Sequence, residues 1–136
     1  LNLGTAGSSY FDAHALVEVC QFVQRDMDVS PLGFQVGVTP MDQEHPAEIH
    51  LERYFEHLPN GICGTGDSFE TGTPKVPCQL VDMEGYAIAK VCKKLGVRML
   101  SVKYISDGAN DTAHLDWEEN LLVGAQKLLS LYQGLK

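Results

Sequence analysis

The stretch from Gln79 to Leu95 changes its apolar period once, and this limits the fold more than anything else in the chain. Gln79–Val81 reads as a strand entered after two prolines, Pro74 and Pro77, which exclude a helix before it. From Gly85 onward, Ile88, Val91, Cys92 and Leu95 recur at i, i+3, i+4 and i+7. That spacing predicts a helix over Gly85–Leu95 with these four as its apolar face. Gly96 ends it as a C′ glycine would. Val97–Ile105 then reads as a buried strand, and strand, helix and strand with short joins predict a right-handed parallel βαβ unit. Glu84 stands where the first strand meets the helix, and Asp107 follows the second strand at once. Ligands of open α/β sheets bind outside the carboxyl ends of strands. Both acids are therefore candidates to face one ligand.

The rest of the chain is read around that unit. Leu1–Leu3 reads as a strand end, and the small residues Gly4 to Ser9 as a loop, either a plain turn or a close approach of backbone to ligand. Ala15–Val23, rich in β-branched and aromatic residues, predicts a strand. Gln24–Gly33 is polar and broken by Pro31 and Gly33; Arg25, Asp26 and Asp28 read there as a solvated turn. Phe34–Pro40 is a short apolar segment with strand character, and Met41–Pro46 a polar connection. His45, His50 and His57 are scattered nearby; His50 and His57 would share one face of a helix, with surface histidines the default reading. Gly61–Gly72 runs from a strand into a glycine-rich turn. Phe69 in that turn either stacks on a planar ligand or caps the core, and Asp67 is expected to bond turn N–H groups. Asp116 with Glu119 matches a capping box opening a last helix. Leu121, Leu122, Ala125, Leu128, Leu129 and Tyr132 would be its apolar face, and Trp117 a packing residue.

Composition excludes some classes of function. The 136 residues suffice for one domain with a core. The net charge of −8 argues against a phosphate-backbone binder, so no nucleic-acid partner is expected. No apolar run approaches a membrane span. The four cysteines lie 43, 15 and 14 residues apart, which does not fit a zinc site. Free thiols in a reducing cytoplasm are expected. The chain opens inside a strand, without Met, which suggests a fragment, a processed chain or further residues before it.

Asp82-Met83-Glu84-Gly85 with Ala87-Ile88-Ala89, then Ser106-Asp107, preceded by Gly4-Thr5-Ala6-Gly7 and Gly64-Thr65-Gly66-Asp67-Ser68-Phe69, resembles the nucleoside phosphorylase/nucleosidase superfamily. The nearest likeness is to 5′-methylthioadenosine/S-adenosylhomocysteine nucleosidases. The motifs keep the family's order over nearly the whole chain and are weakest from Gln35 to Pro59. The resemblance implies an α/β fold of three layers, a mixed central sheet flanked by helices, as a single domain over residues 1–136 that is incomplete at its N-terminus. It implies hydrolysis of the N-glycosidic bond of adenine nucleosides, without cofactor or metal, in a cytoplasmic homodimer. Phosphorolysis and a catalytically inactive nucleoside-binding module remain the alternatives. Asp107 would protonate or hydrogen-bond the departing adenine, with Ser106 helping to hold it. Glu84 would bind the ribose hydroxyls, Met83 would pack on the sugar, Phe69 would stack on the purine, and the Glu70 backbone would meet its edge. Thr5, Ala6 and Gly7 would line the base and ribose side, and Lys103, where the family often has Arg, would contact the substrate. The family's water-activating Glu has no counterpart in this chain. The segment from Thr71 to Leu80 looks short of a helix, which would leave a sheet edge open.

Overall fold

Leu16–Gln24 is rich in β-branched and aromatic residues, Val17, Val19, Phe22 and Val23, and the longest strand forms there. A computed structural model of the chain describes residues 1–42, 47–110 and 113–135. In chain order the elements are β1 (Asn2–Gly7), β2 (Leu16–Gln24), β3 (Glu48–His50), β4 (Asn60–Thr65), β5 (Leu80–Asp82), α1 (Gly85–Lys94), β6 (Ser101–Asp107) and α2 (Ala113–Gln133). The strands hydrogen-bond in the order β3-β2-β4-β5-β1-β6, and β6 pairs again with β2. Five strands thus close into a ring, and β3 hangs on β2 outside it. The open edge expected beside Thr71–Leu80 is absent among the described residues of this ring. β2 continues past its pairing with β6, through Leu16–Glu18, to pair with β3 through Gln21–Val23.

The pairing is mixed. β2, β4 and β5 run parallel, β1 runs parallel to β6, and β6 meets β2 antiparallel. The expected parallel βαβ unit is not formed. β1 lies between β5 and β6, meeting β5 antiparallel at Gly7–Val81. The unit read from local pattern is split because β1, about a hundred residues earlier than β6, fills the gap between the two strands.

β1 itself corrects another expectation. The Gly4–Gly7 stretch is strand and not loop, paired along its length with β6. Its small residues concealed it. They are needed because the long side chain of Lys103 fills the space over Gly4, where an added Cβ would lie 3.3 Å from Nζ. The apolar segment Phe34–Pro40 forms turns and not a strand. Ala47–Leu58 holds β3 and irregular chain, so His50 and His57 share no helical face. His45 lies outside the described residues.

Each side of the sheet buries its own core. Ala6, Val17, Val19, Phe22, Leu80 and Ile105 pack with Tyr86 and Ala89 of α1. Val102, Tyr104 and Phe55 pack with Leu128 of α2. Each helix buries only part of the face expected: Leu128 of α2 is buried and Cys92 of α1 packs against the core, but most of the other expected positions are not covered. α1 buries Gly85, Tyr86 and Ala89, while Ile88, Val91 and Leu95 are exposed. α2 buries Gly124 and Leu128, while Leu121, Leu122, Leu129 and Tyr132 are exposed. The small residues Gly124 and Ala89 decide this, since they let the helices approach closely; at Gly124 a Cβ would sit 2.5 Å from the Tyr104 ring. α2 begins at Ala113, so Asp116 lies inside the helix and is not its N-cap.

α1 does end as read. Gly96 is left-handed, with φ of 65°. Its N–H reaches the Lys93 carbonyl and the Val97 N–H reaches that of Cys92, a Schellman motif.

Candidate active site

The C-terminal ends of β1, β2, β4, β5 and β6 converge on one cavity of about 330 Å³. β1 contributes Thr5, Ala6 and Gly7, and the β5–α1 junction contributes Val81, Asp82, Met83 and Glu84. β6 contributes Ser106 and Asp107, and the turn after β4 contributes Ser68, Phe69 and Glu70. The two acids singled out from sequence therefore do face one space.

Asp107 is 5% exposed and held on two sides. The Ser106 hydroxyl donates to Oδ2 at 2.8 Å and the Ala109 N–H to Oδ1 at 3.0 Å. Gly7 lies directly behind it; a Cβ there would be 2.4 Å from Oδ1. The carboxylate sits where it does because β1 has no side chain at that point. Asn120 of α2 donates to the Ser106 carbonyl at 2.9 Å and ties this strand end to the helix.

Glu84 is exposed and occupies the N-cap position of α1, yet its side chain makes no capping bond. Two other residues satisfy the first amides of that helix. Asp82 Oδ2 accepts the Gly85 N–H at 3.0 Å, and Thr65 Oγ1 accepts the Tyr86 N–H at 2.8 Å. The Thr65 hydroxyl donates in turn to Asp82 Oδ1 at 2.5 Å. Capping from the strands leaves the Glu84 carboxylate available to a ligand while fixing its backbone.

Lys103 does not line the cavity. It is 2% exposed, and its ammonium lies 2.7 Å from Asp82 Oδ2. A buried carboxylate requires such a partner, so Lys103 joins the helix-capping network and the expected substrate contact is corrected. Burial pushes the Cys63 thiol far above its usual value, with the charge of Asp82 adding to the effect.

Two lining residues were read differently from sequence. Arg25, expected in a solvated turn, is 4% exposed and pairs with Glu70 at 2.9 Å. Trp117, expected to pack, lines the cavity and donates from Nε1 to Thr5 Oγ1 at 3.0 Å. Neither carried a local signal, because each reaches the site from an element distant in sequence. Asp67 bonds the turn in the sense opposite to that expected: its own N–H donates to Asp26 Oδ2 at 2.7 Å. Among the described residues no cluster of three or more His, Cys, Asp or Glu could hold a metal ion.

A small-residue wall, an aromatic ring and two carboxylates at converging strand ends have the chemistry to suit a neutral or cationic ligand with a planar base and hydroxyls. The chain belongs to the phosphorylase superfamily, whose family model matches residues 1–133. It is similar to the 5′-methylthioadenosine/S-adenosylhomocysteine nucleosidase of Marinomonas sp. (strain MWYL1), 31% identical over 100% of this chain and 68% of that protein. It is also similar to the aminodeoxyfutalosine nucleosidase of Helicobacter pylori, 30% identical over 90% of this chain and 61% of that protein. Among solved structures it resembles the H. pylori 5′-methylthioadenosine/S-adenosylhomocysteine nucleosidase with butyl-thio-DADMe-Immucillin-A. That match has a TM-score of 0.86 and 25% identity, and covers 97% of this chain and 66% of that one. The chain thus spans roughly two thirds of the length of the proteins it matches. Among the described residues no helix is long and apolar enough to cross a membrane.

Proposed function

We propose that this chain carries the base- and sugar-binding part of a nucleosidase that hydrolyses the N-glycosidic bond of adenine nucleosides such as 5′-methylthioadenosine or S-adenosylhomocysteine. One observation carries the reading: Glu84 and Asp107 line a single cavity together with Phe69. Phe69 stacks on the base and Glu84 accepts hydrogen bonds from the ribose hydroxyls. Met83, 42% exposed beside it, packs on the sugar. The bond between the anomeric carbon and the base nitrogen breaks, and the base leaves with the bonding pair. Asp107 delivers a proton or a hydrogen bond to the base at the ring nitrogen facing it. Such general acid assistance contributes roughly 10²–10⁴ in rate. Water adds to the sugar, and no residue of this chain is assigned to activating it.

Hydrolysis is favoured over phosphorolysis by the state of the two cations near the site. Arg25 is paired with Glu70 and Lys103 with Asp82, so each already has a carboxylate. Residues 1–136 form the C-terminal portion of a single domain, in keeping with the share of its relatives that the chain spans. The enzyme works in the cytoplasm, in keeping with four free cysteines. It forms a homodimer, in keeping with exposed apolar side chains such as Leu122 at 77% and Leu95 at 70%. The test is adenine release from methylthioadenosine with and without phosphate. Release that ignores phosphate supports hydrolysis, release that requires it means phosphorolysis, and binding without turnover means a nucleoside-binding module.

A further inference from the structure

We propose that Arg25, with Asp26 beside it, is a positioning residue that holds the turn of residues 66–72 in place and thereby sets how tightly the cavity grips a planar base. The part concerning the base rests on the nucleosidase reading above.

Phe69 is 47% exposed, and its ring is not fixed by burial. Its neighbours on both sides are fixed instead, and by one guanidinium. Arg25 Nη1 donates to Glu70 Oε2 at 2.9 Å and to Ser68 Oγ at 3.4 Å, and Nη2 donates to the Ser68 carbonyl. The backbone joins in, since the Arg25 N–H donates to the Thr65 carbonyl at 2.9 Å, just before the turn. Asp26 Oδ2 accepts the Asp67 N–H at 2.7 Å. Glu70 closes the far side, its Oε1 accepting the Gly72 N–H at 3.0 Å. The turn rests on these two residues so closely that a Cβ on Gly66 would meet both Arg25 Cζ and the Asp26 carboxyl at 2.8 Å.

A planar fork suits this task. Only guanidinium reaches a carboxylate, a hydroxyl and a carbonyl in one plane, whereas lysine offers a point charge. Arg25 is 4% exposed and Glu70 is half-buried, so the pair is shielded from competing water. The pairing also neutralises the carboxylate that follows Phe69 in the chain. A neutral base then meets an aromatic face and a closed ion pair, and not a free charge.

The test uses the full chain and its Arg25→Met and Arg25→Lys variants. Hydrogen exchange is read at the amides of Asp67 to Gly72 and compared with those of β6, and the adenine Kd is measured by calorimetry. In Arg25→Met the turn amides exchange faster while β6 keeps its protection, and adenine binds roughly tenfold to a hundredfold more weakly, the scale of hydrogen bonds to a charged group lost from the turn that carries the ring. Arg25→Lys restores neither. If Arg25→Met does not fold, Glu70→Gln, which keeps Arg25 and removes its ion-pair partner, moves both readouts the same way. Unchanged exchange in a folded variant overturns the positioning role. Faster exchange with unchanged adenine affinity overturns the link from this turn to the base. Failure of the unaltered protein to bind adenine counts against the nucleosidase reading, while the exchange result still judges the clamp.

Discussion

Gly7→Ala is the sharpest test of how this site is built, because a single methyl group meets a single carboxylate. Gly7 is not among the residues with positive φ, so alanine can adopt its backbone and the cost lies in the contact alone. The new Cβ would stand 2.4 Å from Asp107 Oδ1, with Ala109 Cβ at 3.2 Å on another side. Ordinary contact begins near 3.4 Å, so the carboxylate must retreat by about 1 Å. It cannot do so and keep both hydrogen bonds, from the Ser106 hydroxyl and the Ala109 N–H. The stability cost is about 1–3 kcal/mol, the range for overpacking and for one lost bond to a charged group. The functional cost is larger, because a misplacement near 1 Å is worth roughly 10² in rate. On the proposed reaction, Asp107→Asn would remove the proton donor and should lose about 10²–10⁴. Adenine release should fall about a hundredfold in Gly7→Ala, with a thermal midpoint lowered by roughly 3–10 °C. A folded Gly7→Ala protein at full rate would refute the argument that this glycine makes room for a working Asp107.

Lys103→Met leaves the Asp82 carboxylate buried without its cation and should cost about 3–5 kcal/mol in denaturant unfolding; a change below 1 kcal/mol would mean that Asp82 is served by its hydrogen bonds alone. Trp117, the single tryptophan, lines the cavity, so adenine should change the intrinsic fluorescence in a saturable way. A flat titration with a ligand bound by calorimetry would place the base elsewhere. Asp28 is held at about 2, below 3.8, by its bonds to Lys75 and Ser30. Its contribution to stability is complete above pH 4 and is lost as the pH falls toward 2. A carboxyl titration by NMR with a midpoint near 4 would contradict this.

The site was legible where chemistry and local pattern coincide. Glu84 at a strand-to-helix junction and Asp107 at a strand end stood out by position, Phe69 was left open between a ligand and the core, and the roles of Met83 and Thr5 to Gly7 came only from the family resemblance; all of these residues line the cavity. Arg25 was not, because only the fold shows that the turn after β4 lies over the turn after β2. Lys103 was misread for a related reason: its partner Asp82 lies on another strand, and nothing in a strand's own period states what its side chain will meet. The helix faces, right at Cys92 and Leu128, were missed elsewhere for a different reason. Hydropathy favoured Ile88, Val91 and Leu95, but close packing favoured Ala89 and Gly124, where the absence of bulk brings backbones together. The exposed leucines and valines are ordinary helix formers whose burial the period alone could not decide.

The ring of strands gives the site a late birthday. Its walls come from β1 at one end of the chain and β6 near the other, so Gly7 and Asp107 meet only after a loop of about a hundred residues has closed. Contacts of such long range are slow to form, and no shorter portion of the ring brings the two together. On the proposed function, activity should therefore trail helix signals during refolding and arrive only once β1 has paired with β6. An adenine-release assay would, in that sense, also be a clock for the closing of that loop.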